Sequence, residues 1–330
     1  MKVLLIKVSS MGDVIHSLPA LTDAVQAIKG VSFDWVVEEA FAEIPGWHPA
    51  VDKIIPVAMR RWRKSPLNAL TNGEWRRFKE RLKARQYDAV IDAQGLLKTA
   101  FLTRLSRGPS FGLNKHSARE PVSSRLYENP QQVCWNQHAV ERVRHLLAQS
   151  LGYEVPDHIG RFLLERERFD CDSYSDKPYV VFIHGTTRHN KHWPEPYWCE
   201  LANHVNRSGL RVLLPWGNPV EKARAERIAL ASEYAEVLPK SSLSRLAGII
   251  SHAAGVVSVD TGLGHLTAAL DKPAVSLYGP TSPARIGAYG TGQIHLTLDH
   301  CPPGDFPAVD PDIFSPMTPD FVWSRLKTTL

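Results

Sequence analysis

Short apolar runs alternate with amphipathic segments along the whole chain. The run KVLLIKV at residues 2–8 is followed by apolar residues at helical spacing between Val14 and Ile28, and another run extends from Phe33 to Val37. A run of aliphatic residues predicts a buried strand, and a repeat of three to four residues predicts a helix. The chain therefore opens as strand, loop and helix, an order typical of a parallel α/β sheet.

The alternation continues through the first half of the chain and is repeated in the second half. Strands are predicted at Tyr87–Ala93, Tyr179–Ile183, Leu210–Leu214, 256–259 and Ala274–Tyr278, and helices at 74–85, His138–Leu151, Tyr197–Arg207 and Val220–Leu230. Residues 106–136, rich in Pro, Gly, Ser and Asn, predict long loops. Two related α/β halves are the result.

The predicted boundaries follow from length and from a change in composition. A chain of 330 residues is about twice the usual domain size. Residues 153–178 turn to Pro, Asp and Glu with little periodicity. We therefore predict a first domain at 1–152, a linker at 153–178, a second domain at 179–317 and a terminal helix at 318–330.

A polar turn, Asp260-Thr261-Gly262-Leu263-Gly264-His265, separates the strand at 256–259 from a short apolar helix. Parallel sheets bind ligands outside the carboxyl ends of their strands, where the next helix offers unpaired N–H groups and a partial positive charge. Phosphate is the ligand that such a turn favours. The alternative is an ordinary strand-to-helix turn that uses Gly for its conformation.

Composition narrows the class of protein. With 43% hydrophobic and 22% charged residues, and with no apolar run near the length of a membrane span, the chain is typical of a soluble globular protein. Its 4 cysteines lack C-x-x-C spacing and no leader precedes the first strand, which favours a reducing cytoplasm. The net charge of +5 is concentrated before residue 145, which indicates an anionic partner for the first half.

The densest basic segment is RRWRK at residues 60–64. It has no helical apolar stripe, so we predict a loop that holds an anion, whereas the cations of residues 74–85 belong to a solvated helix. No nucleic-acid module accompanies the basic segment, so no nucleic-acid partner is expected. No metal is expected either. No nearby Cys or carboxylate completes a ligand set for the histidines of residues 184–192, and no strand precedes the D-x-D at 170–172.

Several long motifs resemble one known family, the bacterial lipopolysaccharide heptosyltransferases. They cover roughly residues 1–295 and comprise KVSSMGDVIHSLPAL from Lys7, DWVVEE from Asp34, RRWRK from Arg60, DAQGLLK from Asp92, AREP from Ala118, HAVER from His138, TTRHNKHWPE from Thr186, LPWG from Leu214 and SVDTGLGHLTAALDKP from Ser258. The first of these and RRWRK favour the branch that adds the first heptose.

This resemblance implies a GT-B fold, in which two Rossmann-like domains face each other across a cleft, and a C-terminal helix that docks on the N-terminal domain. It also implies inverting transfer of L-glycero-D-manno-heptose from ADP-heptose to the Kdo of Kdo2-lipid A, at the cytoplasmic face of the inner membrane, without metal or cofactor. The alternatives are a relative that adds a later heptose and a non-enzymatic polyanion-binding protein. An NAD-dependent oxidoreductase is disfavoured, because no G-x-G-x-x-G follows the first strand.

The donor ADP-heptose is expected in the second domain. We predict that its diphosphate is held by Thr186, Thr187 and Lys191 together with the Thr261-Gly262 turn, because cations and backbone N–H groups stabilise the departing diphosphate. Asp260 is expected to contact the heptose. Glu221, in the first turn of a helix after a strand-end loop, and His265 complete the predicted donor residues.

The acceptor is expected in the first domain. Its phosphates and carboxylates are predicted to bind the basic side chains of residues 60–64, because the planar guanidinium pairs two oxygens at once. The predicted acceptor residues are Arg60, Arg61, Arg63 and Lys64, with Arg119 and Arg142 as helpers. The alternative for each side chain is a merely solvated cation.

The predicted general base is Asp13. Inverting transfer needs a carboxylate on the side of the anomeric carbon away from the diphosphate, where the acceptor hydroxyl attacks and loses its proton. Asp13 lies in the loop after the first strand, from which it would face the donor across the cleft, and SSMGD resembles the family motif that carries the catalytic Asp. The alternative is a helix N-cap, and Glu38, Glu39 and Asp92 are the next carboxylates.

Overall fold

The computed structural model describes residues 1–169, 174, 177–304 and 306–330. The chain divides into two compact units, Met1–Leu164 and Glu165–Leu330. The D-x-D triplet Asp170-Cys171-Asp172 lies outside the described residues. Each unit is organised around one six-stranded parallel sheet.

The first unit contains strands β1 to β6, which are Lys2–Ile6, Ser32–Glu38, Val51–Val57, Ala89–Asp92, Ser110–Leu113 and Asn129–Gln131. Its helices α1 to α7 are Met11–Ile15, Leu18–Ala27, Met59–Lys64, Pro66–Thr71, Glu74–Lys83, Leu97–Leu105 and Ala139–Leu151. The strand order is β3-β2-β1-β4-β5-β6, and every described pair is parallel. This is the doubly wound order, in which the chain changes direction between β1 and β4.

The second unit contains strands β7 to β12, which are Tyr179–Ile183, Arg211–Leu214, Ala235–Val237, Gly255–Val259, Ala274–Tyr278 and Gln293–Thr297. Its helices α8 to α13 are Glu195–Arg207, Pro219–Leu230, Leu243–His252, Gly262–Ala269, Pro283–Ile286 and Pro319–Leu326. The order β12-β11-β10-β7-β8-β9 repeats the first topology, with the change of direction between β7 and β10. Two Rossmann-like units are therefore present, as the alternating pattern predicts.

Short 3-10 helices complete the described secondary structure at Glu39–Phe41, Pro45–Trp47, Pro121–Leu126, Arg166–Arg168, His189–Lys191, Leu298–His300 and Asp312–Phe314. Each unit buries its own core of strand and helix side chains. In the first unit Leu4, Ile6 and Val36 pack against Phe78 and Leu82 of α5. Burial of each such side chain contributes roughly 1.5–3 kcal/mol to stability.

The boundary of the first unit differs from the predicted one. Residues 153–164, assigned to the linker, belong to the first unit. The guanidinium of Arg144 donates to the carbonyl of Pro156 at 3.0 Å, and Phe162 is buried. Arg144 is itself held by the buried carboxylate of Asp23, with an N–O distance of 2.6 Å. A hydrogen bond from an ion-paired arginine and one buried apolar side chain thus keep this segment on its domain, although its composition resembles a linker.

Residues 106–136 were expected to form long loops, but they contain β5 and β6. These strands are short and carry Pro and Gly, which hides them from pattern analysis. Pro130 is tolerated because β6 is the edge strand of the sheet, where one side needs no donors. Gly112 of β5 is required by packing, because an added Cβ would lie 2.4 Å from the ring of Tyr127.

The expectation of a loop at RRWRK was wrong, because these residues form most of helix α3. Trp62 N donates to the carbonyl of Ala58 at 2.8 Å, and the Trp62 ring packs edge-on against Trp75 and Phe78. The Trp62 indole N–H also donates to Glu74 at 2.7 Å. One aromatic anchor therefore supports a turn and a half of helix that lacks an apolar stripe.

The terminal helix α13 is part of the second unit's core. Val322 and Leu326 are buried there. The segment before the helix is fixed by two side chains, one just before α8 and one in its first turn. Trp193 Nε1 donates to the carbonyl of Met317, and the Tyr197 hydroxyl donates to that of Ser315, both at 2.9 Å. The boundary expected at 317 thus falls inside one packed body. Docking of the helix on the first domain stays a prediction.

Candidate glycosyl-transfer site

Asp260 is the centre of a polar network at the carboxyl ends of three strands in the second sheet. Its carboxylate lies 2.5 Å from Lys191 Nζ and accepts a hydrogen bond from the Thr281 hydroxyl at 2.7 Å. Its backbone carbonyl accepts a hydrogen bond from the Thr186 hydroxyl at 3.0 Å. The loops after β7, β10 and β11 therefore meet at one carboxylate, at the point where the strand order reverses.

Helix α11 begins directly beside this network. Thr261 precedes it in an extended conformation and its side chain makes no capping hydrogen bond, so it leaves the first N–H groups of the helix available. Gly264 is needed for packing, because a Cβ there would lie 2.7 Å from the Ser258 hydroxyl. His265 is buried within the helix. A helix start next to a lysine is a favourable place for phosphate oxygens.

Glu221 lies at the adjacent strand end. Its carboxylate accepts a hydrogen bond from Gly217 N at 2.7 Å, and a Cβ on Gly185 would come within 2.8 Å of that carboxyl carbon. Thr187 is exposed in the loop between Gly185 and Lys191. All eight predicted donor residues therefore belong to three neighbouring strand-end loops and the helices that begin there.

The buried His184 and the half-buried His192 lie in the loop after β7. Burial lowers the pKa of His184 to about 3, and the positive charge of Arg224 acts in the same direction. The same two causes lower the pKa of His192, whose Nδ1 lies 2.9 Å from Arg224 Nη1. Arg224 is held in turn between His192 and Glu195. Both imidazoles are neutral at neutral pH, so they add no positive charge to the donor loops.

Asp13 lies beyond the carboxyl end of a central strand of the first sheet, in α1, the helix that follows β1. One carboxylate oxygen accepts hydrogen bonds from Ser10 N at 2.7 Å and from the Ser10 hydroxyl at 2.9 Å. The other oxygen lies 3.6 Å from Lys7 Nζ, and the Asp13 side chain remains 41% exposed. The carboxylate is thus oriented and accessible. The alternative, that Asp13 is the helix N-cap, is only partly correct. Ser10 is the N-cap residue, and Asp13, at the third position of the helix, accepts a hydrogen bond from the Ser10 backbone N–H.

Lys7 is a buried cation that was not predicted as a site residue. Its ammonium donates to the carbonyl of Ala93 at 2.9 Å, in the loop after β4. The side-chain oxygen of Gln94 accepts hydrogen bonds from Val8 N and Ser9 N at 3.1 and 3.2 Å. The loops after β1 and β4 are therefore fastened together where the first sheet reverses direction. The hydrophobic pattern does not reveal that a Lys at the end of an apolar run is buried.

The alternative carboxylates are already engaged. Glu38 accepts a hydrogen bond from Arg60 N at 3.1 Å, and burial raises its pKa. Glu39 forms an ion pair with Arg61 at 3.1 Å. Asp92 is fully buried, accepts from the Tyr127 hydroxyl at 2.8 Å, and has a pKa that burial raises. Glu38 and Asp92 are thus buried, and both oxygens of the exposed Glu39 are bound by Arg61. The Asp13 side chain is instead partly exposed, and only one of its oxygens is held by Ser10.

The basic residues of α3 lie at the carboxyl ends of β2 and β3. Arg61 binds two carboxylates, those of Glu39 and Glu74, and Arg60 lies over the ring of Phe41 at 5.2 Å. Arg63 and Lys64 are exposed. Arg61 is therefore fixed by its two carboxylate partners, whereas the exposed side chains of Arg63 and Lys64 can move toward an anion.

The two predicted helpers lie in another part of the first unit. Arg142 stacks on Trp135 at 3.9 Å and donates to the carbonyl of Ser117 at 2.9 Å. Arg119 is exposed two residues after Ser117. The structure thus groups Arg119 and Arg142 with each other, and their joint action with α3 stays a prediction.

A further group of metal-ligand type lies on α8 and α13, which are not the donor loops. Ligand atoms of Glu200, His204 and Asp320 lie within 4.8 Å of one another. His204 Nε2 is 3.1 Å from the Asp320 carboxylate, and its ring stacks on Trp323. A polar contact between two helices explains this arrangement without an ion. Among the described residues, no helix combines the length and apolarity needed to span a bilayer.

Thr281 is the donor-side residue that the sequence analysis missed. It follows β11, and its hydroxyl contacts the same carboxylate as Lys191. The signal was available, because β11 is itself a predicted strand and polar residues at a strand's carboxyl end are the ones that face a ligand.

Comparison with known proteins agrees with this geometry. Residues 75–306 match the profile of glycosyltransferase family 9 (heptosyltransferase). Lipopolysaccharide heptosyltransferase 1 of Pseudomonas aeruginosa is 57% identical over 300 residues, which cover 91% of this chain and 84% of that protein. The protein of the same name from Escherichia coli K12 is 52% identical over 295 residues, covering 89% and 92%.

Solved structures give the same result. E. coli heptosyltransferase WaaC with ADP has a TM-score of 0.91 and 48% identity, with full coverage of both chains. The same enzyme with ADP-2-deoxy-2-fluoro heptose has a TM-score of 0.88 at 48% identity, again with full coverage of both. The α/β fold of GT-B type is thereby confirmed.

Proposed function

This chain belongs to glycosyltransferase family 9, the heptosyltransferases, and on that premise we propose that it moves L-glycero-D-manno-heptose from ADP-heptose to the Kdo of Kdo2-lipid A. Relatives named lipopolysaccharide heptosyltransferase 1 are 52% and 57% identical and cover most of the chain, which supports this acceptor over a later core sugar. Membership in a transferase family removes the support for an NAD-dependent oxidoreductase or a non-enzymatic polyanion binder.

The observation that carries the proposal is the network around Asp260. A diphosphate that enters beside α11 replaces the Asp260 carboxylate as the partner of Lys191, and Thr186 and Thr281 can follow. The Asp260 carboxylate then accepts hydrogen bonds from hydroxyl groups of the heptose. Charge that develops on the departing ADP meets a lysine and the helix start, which lowers the barrier.

Asp13 acts as the general base. The acceptor hydroxyl gives its proton to the carboxylate while its oxygen bonds to the anomeric carbon, and the bond from that carbon to the diphosphate oxygen breaks. Ser10 holds one carboxylate oxygen by two hydrogen bonds, so the other oxygen is aimed. Lys7, whose ammonium lies 3.6 Å from that other oxygen, helps to fix its orientation.

The cations of α3 hold the anionic acceptor. Arg60, Arg63 and Lys64 have no carboxylate partner within salt-bridge distance among the described residues, so they offer charge to Kdo carboxylates or lipid A phosphates. We further propose that the enzyme works without metal or cofactor, with ADP-heptose as a substrate. It acts from the cytoplasm, peripherally on the inner face of the inner membrane, where its lipid acceptor lies.

One assay tests the proposal. The protein is incubated with ADP-heptose and with either Kdo2-lipid A or a core acceptor that already carries one heptose, and both ADP release and the mass of the lipid are followed. We expect a single heptose increment on Kdo2-lipid A only, and equal rates with and without EDTA. An increment on the second acceptor alone would assign a later heptose, and loss of activity in EDTA would contradict the metal-free mechanism.

A further inference from the structure

Helix α6 and the 3-10 helix Pro121–Leu126 expose apolar side chains on adjoining faces. Leu97, Phe101 and Val122 are 47%, 50% and 57% exposed. Leu97 and Phe101 are four residues apart and so lie on one face of α6. Leu97 N donates to the carboxylate of Glu120 at 2.7 Å, which brings the start of the 3-10 helix beside the start of α6. We call these two faces together the α6 surface.

Cations surround these apolar side chains. Lys98, Arg104, Arg119 and Arg125 are all exposed. Val122 and Arg125 share one face, because residues three apart are aligned in a 3-10 helix. The carboxylates in the same segments are engaged, Glu120 with Leu97 N and Glu128 with Arg104 at 3.9 Å. The α6 surface therefore presents an apolar centre with an excess of positive charge around it.

The first turn of α6 lies within electrostatic reach of the carboxylate that holds the start of the basic helix α3. The charge of Lys98, in the first turn of α6, acts on Glu38, the carboxylate that accepts a hydrogen bond from Arg60 N. A lipid layer that contacts α6 would therefore bring its headgroups to the side chains that hold the acceptor. Apolar residues flanked by cations on one short helix are typical of elements that lie in a membrane interface.

We propose that the α6 surface binds an anionic lipid bilayer, with Leu97, Phe101 and Val122 below the headgroups and the flanking cations at the level of the phosphates. This inference rests on the proposed function, in which the acceptor is a membrane lipid. It adds the surface by which the protein reaches that lipid. Each cation near an anionic bilayer contributes about a fivefold increase in partition, so the preference for anionic lipid must weaken with salt.

The test uses the full chain and flotation with vesicles of phosphatidylcholine, with and without phosphatidylglycerol. The test variant is Leu97→Ser with Phe101→Ser. The matched control is Leu230→Ser with Tyr234→Ser, an aliphatic and an aromatic residue of the second unit that are 87% and 51% exposed. Because all four side chains are exposed, both variants should unfold at the wild-type temperature. Transfer is measured on vesicle-embedded Kdo2-lipid A and on a water-soluble, deacylated Kdo acceptor.

We expect the wild type and the control to float with the anionic vesicles, and the test variant to lose at least tenfold in partition. The test variant should keep its rate on the soluble acceptor and lose rate on the embedded one. Wild-type flotation of the test variant, or an equal loss of rate on both acceptors, would overturn the proposal. Binding by the wild type without transfer to any acceptor would contradict the proposed function and leave the surface supported.

Discussion

The carboxyl ends of the two sheets share a topology and differ in how their polar groups are arranged. In the second unit one carboxylate, Asp260, gathers a lysine and a threonine from two other loops. In the first unit the groups form separate sets, with Asp13 beside Ser10 and Lys7, and Arg61 between two glutamates. The same backbone frame therefore carries one concentrated network and one dispersed set.

This difference fits the two proposed substrates. A diphosphate is compact, so a single lysine and one helix start can bind it, and in the proposed site Asp260 holds that lysine before the donor binds. The acceptor is large and carries several anionic groups, so its cations are spread along a helix. The first unit holds its proposed base through hydrogen bonds from Ser10 and leaves Arg63 and Lys64 of α3 exposed.

The largest expected effect is on the base. Asp13→Asn removes the group that accepts the proton, while the amide oxygen still accepts the hydrogen bonds of Ser10, so folding and donor binding should be retained. We expect kcat to fall on the order of a hundredfold or more. Steady-state kinetics and ADP binding by calorimetry measure the two properties. A folded variant with most of its activity would move the base to Glu38, Glu39 or Asp92.

The next effect concerns the concentrated network. Lys191→Ala removes the cation that faces the diphosphate, and we expect a loss of tenfold to a hundredfold, on the order of one donor's contribution, in kcat/KM for ADP-heptose. Lys327→Ala, an exposed lysine at the end of α13, is the control. Equal activity of the two variants would remove Lys191 from the donor site.

Acidification should lower the free energy of unfolding of both units, because each unit contains a buried histidine. Burial lowers the pKa of His48 to about 4 and that of His184 to about 3. Below about pH 6.5 the unfolded chain binds protons that the folded chain excludes, so stability falls as the pH drops toward those values. At pH 5 the loss is about 2 kcal/mol for each histidine relative to pH 7.5.

Urea unfolding at the two pH values measures this loss. His48→Asn should reduce the difference between the two pH values, since one of the two groups no longer titrates. The exposed His116→Asn should leave that difference unchanged. An undiminished difference in His48→Asn would show that other groups cause the acid sensitivity.

The dispersed cations should affect only the acceptor. Arg60→Glu with Arg61→Glu is expected to raise the KM for Kdo2-lipid A on the order of tenfold and to leave the KM for ADP-heptose unchanged. Arg76→Glu with Arg77→Glu is the control, because these arginines lie exposed on α5. Equal changes in both KM values, or an equal effect of the control, would contradict acceptor binding by α3.

The smallest effect tests the support of the base. Lys7→Met keeps the volume of the side chain and removes the charge 3.6 Å from Asp13. We expect kcat to fall severalfold, roughly the effect of about 1 kcal/mol, because the carboxylate of Asp13 loses the neighbouring charge that helps to orient it. Steady-state kinetics measure the change, and an unchanged kcat would contradict this supporting role.

Pattern analysis predicted the strands that lie in the middle of each sheet and missed those near the edges. The central strands β1, β7 and β10 are buried on both faces, which produces continuous apolar runs. β6 contains Pro130, and β9 has only three residues, so neither shows a period. A strand near the edge of a sheet needs fewer apolar residues, so its hydrophobic pattern is weaker.

The candidate site was predictable where it consists of residues that follow a recognised strand. Asp13, Lys191 and Asp260 do so, and the structure places the last two in contact. Lys7 was not predictable, because its partner Ala93 is distant in sequence and only the pairing of β1 with β4 brings them together. Helix α3 was missed for the same reason, since Trp62 packs on a later helix.

The reversal of strand order also bears on the kinetics of folding. Val3 pairs with Ala89 across the first reversal and Val180 pairs with Gly255 across the second, and no other described strand pair joins positions so far apart. Closing a long loop costs more chain entropy than closing a short one, and distant pairings slow folding. The two crevices that carry the donor and the base are therefore expected to be the last parts of their units to acquire hydrogen-exchange protection during refolding.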